Sequence, residues 1–306
     1  MFGRLKSSAR KLDPIELAWA AGFFDGEGSA FARTERARPG YRRFVVSVPQ
    51  SGADRAPEVL VRFQSAVAAG AIGPRDVDGV YRWRASGSDA RSVIALLSPH
   101  LGAVKRRQAS AALRDMGLGP DTRRLSRAPR SADGPEERAW AAGFIDAEGC
   151  FGLVRAAARA DGTRWYRIRA SASQRGAIGL PPEVLGRLCA AVGIGRIEMH
   201  GDADDFKWVV QGEGAVREVL STVDPYLGAV KRQQAARALA GFLSQRRFHG
   251  DRNRCARGHT YDYRTPANGR SRAVCLTCAR LRDRAKRAAA GVLPRQFRDV
   301  TRRYTQ

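Results

Sequence analysis

The sequence predicts an α+β protein made of two homologous halves, each an antiparallel sheet with helices packed on one face, followed by a short Cys/His-containing module. Three observations predict it. First, AWAAGFFDGEGSAF (Ala18–Phe31) recurs 121 residues downstream as AWAAGFIDAEGCFG (Ala139–Gly152). Second, LGAVKRRQASAAL from Leu101 recurs as LGAVKRQQAARAL from Leu227, 126 residues on, and between these blocks SVPQ ending at Gln50 answers SASQ ending at Gln174, while APEVLVRF answers PPEVLGRL. Several blocks copied in one order at a slowly drifting offset mean a duplicated half. Third, Cys255-x3-His259 and Cys275-x2-Cys278 form two close pairs near the C-terminus.

Composition narrows the class. The chain has 306 residues, 54 Lys plus Arg against 30 Asp plus Glu, a net charge of +24 and 43% hydrophobic residues. That apolar fraction suits a globular protein rather than a disordered basic tail. No run approaches the ~18 apolar residues of a membrane span, and residues 1–12, a charged N-terminal tail, hold no apolar signal core. Five cysteines are too few for a disulfide scaffold. These features point to an intracellular protein (cytoplasmic or nucleoid-associated) with no membrane and a polyanionic partner, for which nucleic acid fits best. Lysine stands only at positions 6, 11, 105, 207, 231 and 286, so arginine carries the charge. Arginine forks fit phosphates and guanine edges, although a GC-rich genome also enriches arginine.

In chain order, the first half spans residues 13–118. Asp13-Pro14-Ile15-Glu16 opens a helix with an N-cap, a first-turn proline and a following acid. Strands are expected over Ser29–Arg33, Arg42–Pro49 and Val80–Ala85, and helices near Pro57–Ala68, Ala90–Leu97 and Val104–Leu113. Residues 119–133, rich in Pro, Ser and Arg, read as a linker. The second half, 134–248, repeats the plan with strands over Cys150–Arg155, Trp165–Ser171, Arg196–His200 and Phe206–Gln211. Residues 249–282 form the Cys/His module, with a basic helix expected over Leu281–Ala290, and 283–306 a basic tail.

The repeated helix carries a stripe of small residues, Ala18, Gly22 and Gly26, matched by Ala139, Gly143 and Ala147. A glycine inside a helix costs about 1 kcal/mol relative to alanine, and close approach of two helices accounts for it. The two copies are therefore expected to pack on each other about a pseudo-twofold axis. Trp19 with Phe23 and Trp140 with Phe144, also i,i+4 pairs, are expected to point into each half's own core. Gly28 and Gly149 are read as supplying a permissive backbone just past each helix. Asp25 and Asp146 fall in the last turn and are read as surface or capping groups. Glu27 and Glu148 come at the end of the packed pair, close together. Carboxylates at helix C-termini, facing each other, are unfavourable without cations. Two or more Mg²⁺ ions, held by these carboxylates and phosphate oxygens, would relieve the repulsion.

AAGFFDGEG (Ala20–Gly28) and AAGFIDAEG (Ala141–Gly149) resemble the two copies of the LAGLIDADG motif of homing endonucleases, and two copies in one chain resemble the monomeric, pseudo-symmetric branch. The similarity covers most of residues 13–245. It implies two αββαββα-like halves, motif helices at their interface, saddle-shaped sheets astride double-stranded DNA, and site-specific cleavage of both strands with staggered cuts across the minor groove. The motif's metal-binding eighth position corresponds to Glu27 and Glu148, glutamate standing where the motif has aspartate, and its sixth to structural Asp25 and Asp146. The family's polar residue near the active-site water corresponds to Gln50 and Gln174, and its basic residue to Lys105 and Lys231. A lysine near the scissile phosphate could stabilise developing charge or poise a water.

The strands suit DNA contact. Arg82-Trp83-Arg84 and Arg167-Ile168-Arg169 alternate basic and apolar residues, so that one face reaches a core and the other offers Arg82, Arg84, Arg167, Arg169 and, on the first strand, Arg33 to a groove. Cys255, His259, Cys275 and Cys278 are a closed Cys₃His set for one structural Zn²⁺, which would supply the folding energy of a segment too short for its own core. From His249 onward, 15 Lys plus Arg face 4 Asp plus Glu, so the module is expected to extend the DNA footprint; a protein contact fits the charge less well. Cys150 and Cys189 are read as core residues. The rival function on the same scaffold is a catalytically inactive DNA-binding regulator or an RNA-splicing maturase.

Overall fold

A computed structural model describes residues 12–35, 38, 40–118, 134–155, 166–201, 204–248, 255, 257, 259, 262–267 and 270–289. The expected N-terminal tail up to residue 11, the linker 119–133, Trp165 of one expected strand and the tail beyond 289 lie outside them. The chain forms two compact units, residues 1–239 and 240–306.

In the first unit, one half comprises α1 (Pro14–Glu27), β1 (Ser29–Thr34), β2 (Arg42–Ser51), α2 (Glu58–Val67), β3 (Ala71–Ile72), β4 (Val80–Ser86), α3 (Gly87–Leu97) and α4 (Ala103–Arg114). The other repeats it as α5 (Pro135–Glu148), β5 (Gly149–Arg155), β6 (Tyr166–Arg175), α6 (Glu183–Val192), β7 (Arg196–Met199), β8 (Asp205–Gln211), α7 (Glu213–Val223) and α8 (Ala229–Phe248). The sheets are antiparallel, in the matching orders β1-β2-β4-β3 and β5-β6-β8-β7. The second unit holds the end of α8, an antiparallel pair β9 (Tyr263–Ala267) and β10 (Arg270–Val274), and α9 (Leu276–Ala289). The helix expected from Leu281 thus begins five residues earlier. Among the described residues no helix is long and apolar enough to cross a membrane.

Helix α1 starts as the sequence predicts, with the Asp13 carboxylate accepting from Ile15 N–H at 2.9 Å. Its glycine stripe lies against α5. A methyl built on Gly22 would sit 1.9 Å from the Trp140 carbonyl oxygen, and one on Gly143 would sit 1.9 Å from that of Trp19. Two backbones this close leave no room for any side chain, so each glycine's helix penalty is the condition for the crossing. Gly28 and Gly149 are extended rather than left-handed (φ −73° and −75°). Glycine is needed there for space, because a methyl on Gly28 would lie 2.3 Å from the Phe24 ring and one on Gly149 2.5 Å from Ile145 O.

Strand pairing sorts the side chains onto two faces. Ala30, Phe44, Val46, Val48, Tyr81, Trp83 and Ala85 are buried on one face, against which α1, α2 and α3 pack. Phe63 of α2 meets Trp83 edge-on at 4.8 Å between ring centroids. The second half buries Phe151, Ile168, Ala170, Ala172, Phe206, Trp208 and Val210 in the same way.

Candidate functional site

The crossing of α1 and α5 brings their C-terminal glutamates to one place. A methyl on Gly26 would fall 3.0 Å from Glu148 Cγ and 3.6 Å from its Oε1, so the Glu148 side chain lies against the residue preceding Glu27. Each carboxylate is half-buried and held by its own half's second strand. The Gln50 amide donates to Glu27 Oε1 at 3.0 Å, and that of Gln174 to Glu148 Oε1 at 2.8 Å. The lysines come from the first turns of α4 and α8. Lys105 Nζ donates to the Gly28 carbonyl at 2.5 Å and Lys231 Nζ to the Gly149 carbonyl, each carbonyl belonging to the residue after a glutamate. All six residues therefore surround one end of the helix pair.

Burial, and then the charge of Glu27, push the Glu148 carboxyl up from 4.5 to about 7. Burial likewise raises Glu27, against the Gln50 hydrogen bond and the charges of Lys105 and Lys231. Burial lowers Lys105, which Asp25, Glu148 and Glu27 oppose. Two hard oxygen donors, half-buried at one end of the helix pair and each bonded to an amide through a single oxygen, could hold a divalent cation.

Asp25 and Asp146 are not surface groups; each is 5% exposed. Asp25 accepts from Gly102 N–H, at 2.8 and 3.0 Å to its two oxygens, and from the Trp140 indole at 2.8 Å. Asp146 accepts from Gly228 N–H and the Trp19 indole over the same distances. Each carboxylate thus caps the last helix of its own half, α4 or α8, and takes a tryptophan from the other half. Trp19 does stack on Phe23 and Trp140 on Phe144, with planes 9° apart, but their N–H groups cross the interface rather than staying in their own cores. Burial raises both carboxyls from 3.8 to about 6, against these hydrogen bonds.

Two arginines complete the frame. Arg62 of α2 lies 3.9 Å over the Trp19 ring and forks onto Glu16, and Arg187 of α6 lies 3.8 Å over Trp140 and forks onto Glu137. Sequence reasoning missed this pair, although both arginines stand in the aligned blocks APEVLVRF and PPEVLGRL, and both glutamates open the repeated helix.

The sheet faces turned away from α1–α3 and their counterparts are basic. Register puts Arg33, Arg82 and Arg84 on one such face with Arg43, directly opposite Arg33. Arg167 and Arg169 share the other with Arg175, Arg196 and Lys207. Arg43, Arg175, Arg196 and Lys207 are additions that only strand pairing could supply. A depression of about 400 Å³ on the first face is lined by Arg33, Arg43 and Arg84 together with Glu35. Cys150 lies on the second face and is exposed, and Cys189 is half-buried. Neither is a core residue: alternation along β5 sends Phe151 inward and its neighbour Cys150 out.

In the second unit the Cys255, Cys275 and Cys278 sulfurs and a His259 ring nitrogen all lie within 4.8 Å of one another. Cys255 Sγ is 3.5 Å from Cys278 Sγ and 3.6 Å from His259 Nδ1. Four such donors, converging from two segments, can hold one metal ion, and the thiolate-rich set suits Zn²⁺.

No family model and no curated protein matches the sequence. Solved structures do match the fold. The LAGLIDADG meganuclease I-AabMI bound to uncleaved DNA superimposes with a TM-score of 0.58 at 16% identity, covering 80% of this chain and 95% of that one. I-SmaMI bound to uncleaveable DNA gives 0.56 at 15% identity, with 78% and 93% covered. I-GzeII in complex with its DNA target gives 0.52 at 13% identity, with 79% and 94% covered. With the duplicated motif, the mirrored sheets and the crossed motif helices, the chain has the fold of the two-motif LAGLIDADG homing endonucleases.

Proposed function

We propose that this protein is a metal-dependent endonuclease that acts as a monomer on double-stranded DNA, cutting both strands at a specific site. The observation that carries the reading is the pair Glu27 and Glu148, two carboxylates from symmetry-related helices sharing one half-buried end of the crossing, with Lys105 and Lys231 beside it. Glu27 and Glu148 would hold Mg²⁺, which when bound supplies Lewis-acid polarisation of the phosphate and a more acidic water.

The chain's own residues divide the remaining work. Gln50 and Gln174 fix the carboxylate orientations. Lys105 and Lys231, each tied to the carbonyl after a glutamate, bring positive charge to stabilise a developing phosphate charge or to poise a water. Arg33, Arg82, Arg84, Arg167 and Arg169 contact the duplex, with phosphate contacts setting its register. Zinc held by Cys255, His259, Cys275 and Cys278 would stabilise the second unit, whose basic α9 extends the footprint.

The test is incubation with DNA from the protein's own genomic locus and Mg²⁺. Double-strand cleavage is expected, and Glu27→Gln or Glu148→Gln should abolish it while binding persists. Tight binding by the unmodified protein without any cutting would assign it instead to the inactive regulators or maturases.

A further inference from the structure

Arg62 and Arg187 do more than fork onto a glutamate of their own half. Arg62 uses its third nitrogen, Nη1, to donate to the Tyr226 carbonyl of the second half at 2.7 Å, and Arg187 Nη1 donates to the His100 carbonyl of the first half at 2.7 Å. Arg187 also stands 3.7 Å from Asp25 Oδ2. Tyr226 and His100 lie two residues before Gly228 and Gly102, the glycines that Asp146 and Asp25 cap and from which α8 and α4 begin. Those helices carry Lys231 and Lys105 in their first turns. Each lysine-bearing helix start is therefore gripped twice, by the aspartate of its own half and by the arginine of the other.

We infer that Arg62 and Arg187 are positioning residues acting in trans: Arg62 sets Lys231, and Arg187 sets Lys105, across the pseudo-twofold interface. Arginine is required because one planar group must stack on tryptophan, fork onto a carboxylate and still reach a carbonyl, which an ammonium cannot do. Placement errors of about 1 Å cost up to about 100-fold in rate, so loosening one helix start should penalise the phosphate its lysine serves. The consequence for cutting rests on the nuclease proposal above; the placement of the lysines does not.

The experiment exploits the scarcity of lysine. In the full chain with side-chain isotope-labelled lysine, the six ammonium signals are assigned by substitution. Arg187→Met is expected to move the Lys105 signal and leave Lys231 in place, and Arg62→Met to do the reverse. On strand-labelled target duplex, Arg187→Met should slow by about 10-fold or more the strand that Lys105→Met slows, with less than about a twofold effect on the other. Movement of the own-half lysine, of both lysines or of neither would overturn the inference, as would equal slowing of both strands. Arg187→Lys, which keeps the charge and loses the fork, carries the same test if the methionine variant fails to fold. A wild-type protein that cuts neither strand would refute the nuclease proposal alone, and the lysine signals would still decide this one.

Discussion

Gly22→Ala adds a methyl 1.9 Å from the Trp140 carbonyl oxygen and 2.9 Å from the Phe144 amide nitrogen, and Gly143→Ala does the same against Trp19 and Phe23. Both obstacles are backbone in the partner helix, so no side-chain rotation relieves them. The helices must separate by about 1.5 Å to restore an ordinary contact of about 3.4 Å, which strains the two indole–aspartate bonds crossing the same interface. Overpacking of this kind costs roughly 1–3 kcal/mol, occasionally more, and exceeds the ~1 kcal/mol gained from helix propensity. A net loss of about 1–2 kcal/mol corresponds to about 2–8 °C in Tm for a unit of this size. Gly186→Ala is the internal control. It makes the same chemical change inside α6, where the added methyl meets nothing within 4 Å, so propensity alone acts and stability should rise by up to about 1 kcal/mol. Chemical denaturation of the three variants reads the signs directly. Gly22→Ala or Gly143→Ala as stable as Gly186→Ala would refute the crossed-helix interface.

Three other predictions concern the buried aspartates, the glutamate pair and the Cys₃His set. Asp25 and Asp146 titrate at about 6 in the fold against 3.8 as free groups, so the stability they contribute is present below pH 4 and lost as pH rises through 6. On going from pH 7.5 to 4.5, denaturation should show wild type gaining about 2 kcal/mol relative to Asp25→Asn. Cleavage should rise with pH through about 7 as Glu148 gives up its proton, and the rise should move to lower pH with increasing Mg²⁺, because the cation competes with the proton; a flat profile from pH 5 to 9 would contradict this. Protein purified without chelator should contain one zinc per chain, and removing it should abolish amide-exchange protection in residues 270–289 while α1 and α5 stay protected. Absence of zinc would reject the Cys₃His site.

The duplication made most of the architecture legible, because each half confirms the other's element order. The paired glycines announce the crossing and the motif glutamates mark one end of it, whereas Gln50, Gln174, Lys105 and Lys231 come from the family resemblance alone. The destination of the tryptophan N–H groups was not legible. Helical periodicity places Trp19 on a face, but only the crossing geometry decides that its indole meets Asp146 rather than a group of its own half. The same limit hid the burial of Asp25 and Asp146, whose polarity reads as surface until a partner indole and a capped helix are seen. Strand β3, two residues long, is too short to show periodicity. Cysteine's usual burial points Cys150 inward, but strand alternation overrides it, because buried Phe151 sends its neighbour out. Arg62 and Arg187 had a signal in the repeat, but a basic residue kept in a chain this rich in arginine does not stand out without its acid partner.

Diffraction from crystals of the protein with target duplex and Mn²⁺, measured at the manganese absorption edge, bears most directly on the shared-carboxylate site. Anomalous peaks should lie within metal–oxygen bonding distance, about 2.0–2.3 Å, of both Glu27 and Glu148 and of backbone phosphate oxygens. Bound duplex with manganese absent from those carboxylates, or seated only elsewhere, would contradict the account.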